Sequence, residues 1–218
     1  MTQTDKVYTG LCALFSVLIV LGNLIYQKFV RLDLPFHTFQ LSVGAILYPL
    51  TFLVTDLITE FYGKEKANFC VRFAILMNVL VAAIIALMDN LPATSWSKVD
   101  NHTFHQVFGF YGVSFIGSII ACYIAQTVDI FFYLGICKLT KGRHLWLRNN
   151  GSTAISLFID TSIVIGFITI FGVLPKNQMW ELIWNSYSWK LFFTICSTPL
   201  FYICVWILKA IIKPSREY

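Results

Sequence analysis

Four carboxylic acids lie inside, or at the ends of, segments apolar enough to cross a lipid bilayer: Asp56, Glu60, Asp129 and Asp160. An aspartate at the centre of a membrane helix costs about 2.5–3.5 kcal/mol on insertion scales, so each needs a compensating role. Such side chains usually face a bundle interior or a watery cavity, where they contact whatever passes through. The four acids therefore indicate a polar site within a membrane protein.

The first pair of acids is set by helix geometry. Asp56 and Glu60 are four residues apart, so they share one face of a helix. Two like charges repel in a medium of low dielectric, and one would keep its proton unless a cation or a donor compensates. This pattern suits recognition of a polar or cationic solute, or a proton-linked step. The open alternative for Glu60 is an ion pair with Lys64 or Lys66.

The other two acids have polar neighbours of different kinds. Gln126 and Asp129 are three residues apart and offer an amide and a carboxylate together, which suits the edge of a heterocycle. Asp160 lies in the middle of a later apolar segment. Buried charges are usually paired, so an ion pair with Arg148, Lys190 or a residue of another span is its open alternative.

The elements that must position these residues are membrane helices. The 218-residue chain is 57% hydrophobic and 12% charged, and its mean hydropathy is +0.71. A spanning helix needs about 20 mostly apolar residues. Six such runs predict an all-α, polytopic membrane protein with a single domain over residues 1–218. The runs are Tyr8–Gln27, Phe39–Phe61, Ala67–Met88, Phe110–Cys137, Ser152–Leu174 and Trp189–Ile212. Ser152 is expected to cap the fifth helix after an Asn-Gly turn.

Basic residues predict the orientation. Eleven of the 16 lysines and arginines lie in the two terminal segments and the second and fourth loops, and five lie in the other loops. Cytoplasmic loops carry the excess of Lys and Arg, so both termini are expected in the cytoplasm. The same distribution explains the net charge of +5 without a nucleic-acid partner.

Missing motifs exclude several classes of protein. The chain has no GxxxxGK[ST] phosphate loop, no HExxH helix and no GxSxG elbow, so neither ATP hydrolysis by that route nor the common hydrolase chemistries are expected. The six cysteines have no CxxC spacing and serve as small apolar residues. The sequence predicts neither an enzyme, nor a cofactor, nor a metal site.

Three ordered blocks resemble a known family over nearly the whole chain. They are LVTDLITEFYG at residues 53–63, Gln126 with Asp129, and WLRNN at 146–150 followed by Ser152-Thr153 and Asp160-Thr161. They are similar to the queuosine precursor transporters, small integral membrane proteins also called vitamin uptake transporters. Asn23 and Lys28 also look like the family's first-helix pair. Leu157 departs from the pattern, which has a glutamine there, and leaves the choice of precursor open.

The resemblance implies import of a 7-deazaguanine (preQ0, preQ1 or queuine) across the cell inner membrane for queuosine salvage in tRNA. It implies secondary or facilitative transport, with the lipid bilayer and a small-molecule 7-deazapurine as partners and a homodimer as an open alternative. The expected substrate ligands are Asp56, Gln126, Asp129 and Asp160, with Asn23, Glu60, Arg148, Asn150 and Lys190 as secondary candidates.

Three rival functions stay open at this stage. The chain could be a substrate-binding subunit of a vitamin uptake system that requires a separate ATPase module. It could be a membrane enzyme acting on a lipid, although its acids lack a DDxxD-like pair. A purely structural membrane protein is the least attractive, because it gives no reason for acids in the middle of spans.

Overall fold

The computed structural model describes residues 2–26, 28–35, 37–108, 112–172 and 174–212. The chain is mostly helical, and five of its helical segments are long and apolar enough to cross a membrane. The elements in chain order are α1 (Gln3–Ile25), β1 (Phe29–Leu34), β2 (His37–Ser42), α2 (Val43–Ile46), α3 (Pro49–Asp89), α4 (Asn101–Phe108), α5 (Gly112–Leu139), α6 (Leu145–Ile170), a short 3₁₀ helix (Lys176–Gln178) and α7 (Met179–Ile211).

Helix α3 is interrupted at Gly63, whose backbone has φ 78° and ψ 178°. This conformation is accessible almost only to glycine, because a Cβ would clash with the backbone. The two halves of α3 contain the second predicted span from Pro49 onward and the whole of the third. The structure thus joins these two runs across a kink instead of separating them by a loop.

Contacts with α1 show that the chain reverses direction at this kink. Before Gly63, the chain passes from Gly44, which lies against Gly22, to Tyr62, which donates to the carbonyl oxygen of Thr4 at 2.9 Å. After Gly63, Lys66 accepts from Tyr8 at 2.9 Å, and Cys70 then contacts Cys12. The first half therefore runs antiparallel to α1 and the second half runs parallel to it.

A two-stranded antiparallel hairpin, β1–β2, precedes α2 and was absent from the all-α prediction. Phe39–Ser42, expected at the start of the second span, are strand residues. Phe39 and Leu41 are buried against Trp189 of α7, and this packing outweighs the helical pattern of a short apolar run. On the exposed face, hydrogen bonds from Arg31 and Thr38 lower the pKa of Asp33.

The start of α6 also differs from the prediction. Ser152 was expected to cap a helix, but α6 already begins at Leu145, and the Ser152 hydroxyl donates to the carbonyl oxygen of Asn149 within the helix. Asn149 and Ser152 are buried. Burial of this turn against neighbouring helices outweighs the low helix propensity of the Asn-Asn-Gly-Ser segment.

This packing buries one set of apolar side chains in a core and leaves another set exposed on the outside. The main apolar core joins α1, both halves of α3, α5 and the end of α7 around Phe15, Phe61, Tyr133 and Phe201. Large apolar side chains such as Phe131, Ile203 and Trp206 are exposed on the outside. A helical bundle with an apolar exterior is the arrangement that a lipid bilayer requires.

Candidate functional site

Three helices each bring a stripe of polar side chains to the bundle interior. On α6, Arg148, Ser152, Ser156 and Asp160 recur every four residues, which places them on one face. The stripes of α3 and α5 are Thr51, Thr55, Asp56 and Glu60, and Gln126, Asp129, Tyr133 and Cys137. The stripes meet because α5 packs along α6 and α3 packs against α5.

At the centre, Asp56 and Asp129 interact through their side chains. Both residues have 0% exposure. Neither oxygen of Asp56, nor Oδ2 of Asp129, receives a hydrogen bond from an N–H or O–H group in the described part of the chain. Oδ1 of Asp129 accepts from the Ser156 hydroxyl at 3.3 Å. The side chains of Ser152 and Thr153 also interact with Asp129, so the two buried carboxyl groups face each other and the acceptors of Asp56 are the less satisfied.

Gln126 lies one turn from Asp129 but is held by α3. Its Oε1 accepts from the Thr55 hydroxyl at 2.8 Å, and its Nε2 donates to the Thr51 hydroxyl at 3.3 Å. The residue is fully buried. The predicted amide and carboxylate are therefore neighbours, but the amide ties α5 to α3 in this conformation.

Glu60 pairs with Arg148, and the expected pair with Lys64 or Lys66 does not form. Its Oε1 lies 2.7 Å from Nη2 of Arg148, and its Oε2 accepts from the Tyr133 hydroxyl at 3.1 Å. The guanidinium group lies 5.4 Å from the centre of the Tyr133 ring and also donates to Sγ of Cys137. Arg148 reaches Glu60 because it projects from the first turn of α6, where a loop had been expected.

Asp160 pairs with Lys190, which was one of its open alternatives. Nζ of Lys190 lies 2.8 Å from Oδ2 of Asp160, and the Tyr48 hydroxyl donates to Oδ1 at 2.7 Å. Lys190 also donates to Thr161 at 3.1 Å and lies 4.7 Å from the centre of the Tyr48 ring. Both charged residues are buried, so the ion pair is shielded from solvent.

Two secondary candidates form contacts with other helices. Asn23 of α1 accepts from the Ser118 hydroxyl of α5 at 2.8 Å. Asn150 exchanges hydrogen bonds with Thr198 of α7 and also donates to the carbonyl oxygen of Trp146. The structure therefore brings Asp56, Gln126, Asp129, Glu60 and Arg148 into one connected region, with Asp160 and Lys190 further along it and Asn23 and Asn150 in separate contacts.

A cavity of about 390 Å³ lies beside Glu60, at the end of the bundle that carries Gly63. Thr59, Gly63, Lys64, Tyr133, Cys137 and Lys138 are among the residues that line it. Its volume is within the range of small-molecule sites. Glu60, which is one helical turn from Asp56, also lines the cavity.

Comparison with known proteins identifies the family of the chain. Residues 42–204 match the family described as "Putative vitamin uptake transporter". The chain belongs to this family. It is also 29% identical over 164 residues to a "Probable queuosine precursor transporter" of Bacillus subtilis (strain 168), covering 74% of this chain and 70% of that protein. No solved structure matches the chain significantly. The resemblance seen in the sequence is thereby confirmed.

Membership in the vitamin uptake transporter family, together with helices long enough to span a membrane, makes the protein a multi-pass membrane transporter. The matched region contains the whole polar interior from Tyr48 to Lys190. Leu157, where the resemblance led us to expect a glutamine, has 0% exposure and packs with Phe52 and Ala125. This position faces an apolar cluster next to Gln126 and not the pair of carboxyl groups.

Sequence reasoning missed three residues that the structure places among the charges: Tyr48, Tyr133 and Cys137. Tyrosine and cysteine in apolar segments usually pack in the core, so their residue types gave no signal. The available clue was spacing, since Tyr133 lies four residues after Asp129 and Cys137 four residues after that.

Proposed function

We propose that this transporter carries a 7-deazaguanine precursor of queuosine across the membrane and that Asp56 and Asp129 hold it. The observation that carries the proposal is the contact between these two fully buried acids, which have no basic partner among the described residues. Buried acceptors without donors are costly, so a ligand that supplies donors would be bound strongly at this point.

The chemistry of a deazaguanine suits this pair of acids. Its ring edge carries an N–H group next to an exocyclic amino group, and one carboxylate can accept from both. The aminomethyl group of preQ1 would add a cation for the second carboxylate. The Ser156 hydroxyl and the Gln126 amide lie beside the acids and could hydrogen-bond the ring carbonyl group. In this proposal Glu60, Arg148, Asp160 and Lys190 surround the ligand without all contacting it.

The direction of the helices supports six spans with both termini in the cytoplasm. Residues Val43–Asp89 would be about 70 Å long as one helix, which is more than twice the hydrocarbon thickness, whereas the reversal at Gly63 gives two segments of spanning length. The beginning of α1 lies beside Tyr62 and Lys66, and the beginning of α6 lies beside Tyr202 of α7. These ends carry most of the basic residues, so we infer that they face the cytoplasm.

The mode of transport we propose is secondary or facilitative, with alternating exposure of the site between helices. Insertion of the base into tRNA would keep the gradient inward. Proton coupling through Asp56 stays a prediction, and initial rates measured across imposed pH gradients test it. Equal rates in all gradients would contradict coupling.

The test of the function is uptake by the purified protein alone. Proteoliposomes without ATP or a second protein should accumulate labelled preQ0, preQ1 or queuine, and each unlabelled precursor should compete more strongly than guanosine. Uptake that appears only when an ATPase module is added would contradict the secondary mechanism and favour the binding-subunit alternative. The absence of uptake for all three bases under both conditions would contradict the substrate.

Rescue in a host cell identifies the precursor. A host that can neither make nor import queuosine precursors should recover tRNA queuosine when it expresses this chain and receives the preferred base. The matched control for charge removal is Asp33→Asn, which changes an acid on the exposed hairpin. This variant should restore tRNA queuosine as well as the native chain does.

A further inference from the structure

Two clusters of the same chemical composition lie in the interior. Each contains an acid, a base and a tyrosine, and we name them the Glu60 triad (Glu60, Arg148, Tyr133) and the Asp160 triad (Asp160, Lys190, Tyr48). In each triad one carboxylate oxygen binds the base, the other accepts from the tyrosine hydroxyl, and the base lies near the tyrosine ring. The two triads use no residue in common.

The triads lie on opposite sides of the central acids. Along α3, Tyr48 is about 12 Å from Asp56 on one side, and Glu60 is about 6 Å from it on the other side, at 1.5 Å per residue. Along α6, Ser156, which contacts Asp129, lies between Arg148 and Asp160. One triad therefore lies on each side of the central acids along both helices.

We propose that the two triads are the gates of the carrier, which open alternately while the central acids hold the substrate. This inference rests on the proposed transport function. The Glu60 triad joins α3 to α5 and α6, and the Asp160 triad joins the start of α3 to α6 and α7. Opening one triad separates one set of helices and leaves the other set in contact.

The form of each triad explains how a gate can open and close repeatedly. Both acids have two partners, so separation of one partner leaves the carboxylate hydrogen-bonded to the other. The Glu60 triad also borders the 390 Å³ cavity through Glu60 and Tyr133, so in this proposal the cavity would admit solutes to this gate. In this proposal Glu60, Arg148, Asp160 and Lys190 control access to the ligand.

Cys137 provides a natural reporter for one gate. Its sulfur accepts from Arg148, its side chain is 1% exposed, and it borders the cavity. A membrane-impermeant maleimide applied to each side of membrane vesicles, with residue-resolved mass spectrometry, measures how often the Glu60 triad opens. This measurement needs no substrate, so it tests the gating proposal separately from the uptake assay. The labelling result can contradict the gates while uptake is observed, and it can support the gates while no uptake is observed.

A matched pair of variants tests the proposal, since Tyr133→Phe and Tyr48→Phe each remove one hydroxyl from one triad. Tyr133→Phe should raise Cys137 labelling about fivefold, the factor given by one hydrogen bond of ordinary net strength. Tyr48→Phe should lower it by a similar factor, because a carrier that opens at the Asp160 triad keeps the Glu60 triad closed. The charge variant Glu60→Gln should likewise raise Cys137 labelling, and Lys190→Met should lower it.

Controls separate gating from a loss of structure. Tyr123→Phe, at an exposed position of α5, should leave labelling unchanged, and Lys190→Arg should restore most of what Lys190→Met changes. Purely structural triads would give increased labelling in both tyrosine variants through general loosening. Changes in the same direction, or unchanged labelling in both, would overturn the proposal even if the protein transports its substrate.

Discussion

The side chains of Asp56 on α3 and Asp129 on α5 contact each other in the interior of the bundle, and neither has a basic partner in the part of the chain that the structure describes. The other two buried acids differ from them, because Glu60 is paired with Arg148 and Asp160 with Lys190. Buried charges are usually paired, so in the proposed function the two acids without an ion-pair partner are the ones that would hold a ligand.

The first prediction concerns transport by variants of the central acids. Asp56→Asn and Asp129→Asn keep the size of each side chain but remove a charged acceptor. A hydrogen bond to a charged group contributes about 1.5–3 kcal/mol, so each change should reduce uptake at low substrate concentration by about 10- to 100-fold. Initial rates of precursor uptake in proteoliposomes measure this effect.

The control for these variants is Asp33→Asn on the exposed β-hairpin, for which uptake should equal that of the native protein. Detergent-solubilised Asp56→Asn should be as heat-stable as the native protein or more so, because removal of one acid relieves repulsion from its neighbour. Native uptake rates for both central variants would contradict the proposed binding site.

The second prediction concerns the buried pair of Glu60 and Arg148. Arg148→Gln leaves a carboxylate without its base, so it should lower the free energy of unfolding by about 3–5 kcal/mol. The double variant Glu60→Gln/Arg148→Gln should lose much less than the sum of the two single variants, because no unpaired charge stays buried. Reversible unfolding in mixed micelles provides the four values of this cycle, and additive losses would show that the pair is uncoupled.

The third prediction tests the close approach of α2 to α1. A methyl group on Gly44 would overlap the backbone carbonyl oxygen of Gly22, which cannot move aside as a side chain can. Gly44→Ala should therefore cost about 1–3 kcal/mol of stability. Gly135→Ala is the matched control, since open space surrounds its Cβ position, and its melting temperature should equal that of the native protein or exceed it.

The fourth prediction tests the reversal within α3. Gly63 has open space around its Cβ position, so the cost of Gly63→Ala comes from its positive φ alone. An alanine held in this region should lose about 1–3 kcal/mol of folding free energy, and less folded protein should be recovered from the membrane. A Gly63→Ala variant as stable as Gly135→Ala would show that the chain does not need this backbone conformation.

Much of the fold was predictable because the bilayer imposes strong constraints on sequence. Long apolar runs separated by Gly, Pro and Lys indicate helices. Accordingly α1 and α5 lie close to their predicted spans, whereas α7 begins ten residues before the predicted Trp189. The β-hairpin was not predictable, since the strand character of Phe39–Ser42 depends on burial against Trp189. The helical start of α6 likewise depends on neighbours, which override the turn preference of Asn149–Ser152.

The sequence by itself determined that this is a membrane protein of the vitamin uptake transporter family, with buried acids at Asp56, Glu60, Asp129 and Asp160. Composition and ordered motifs carry that information, because burial of charge in lipid is too costly to occur without a reason. Only the tertiary structure decided which acids form ion pairs and which have no ion-pair partner among the described residues. Arg148 and Lys190 are distant from their partners along the chain, and helix packing alone brings each base within 2.7–2.8 Å of one acid and not another.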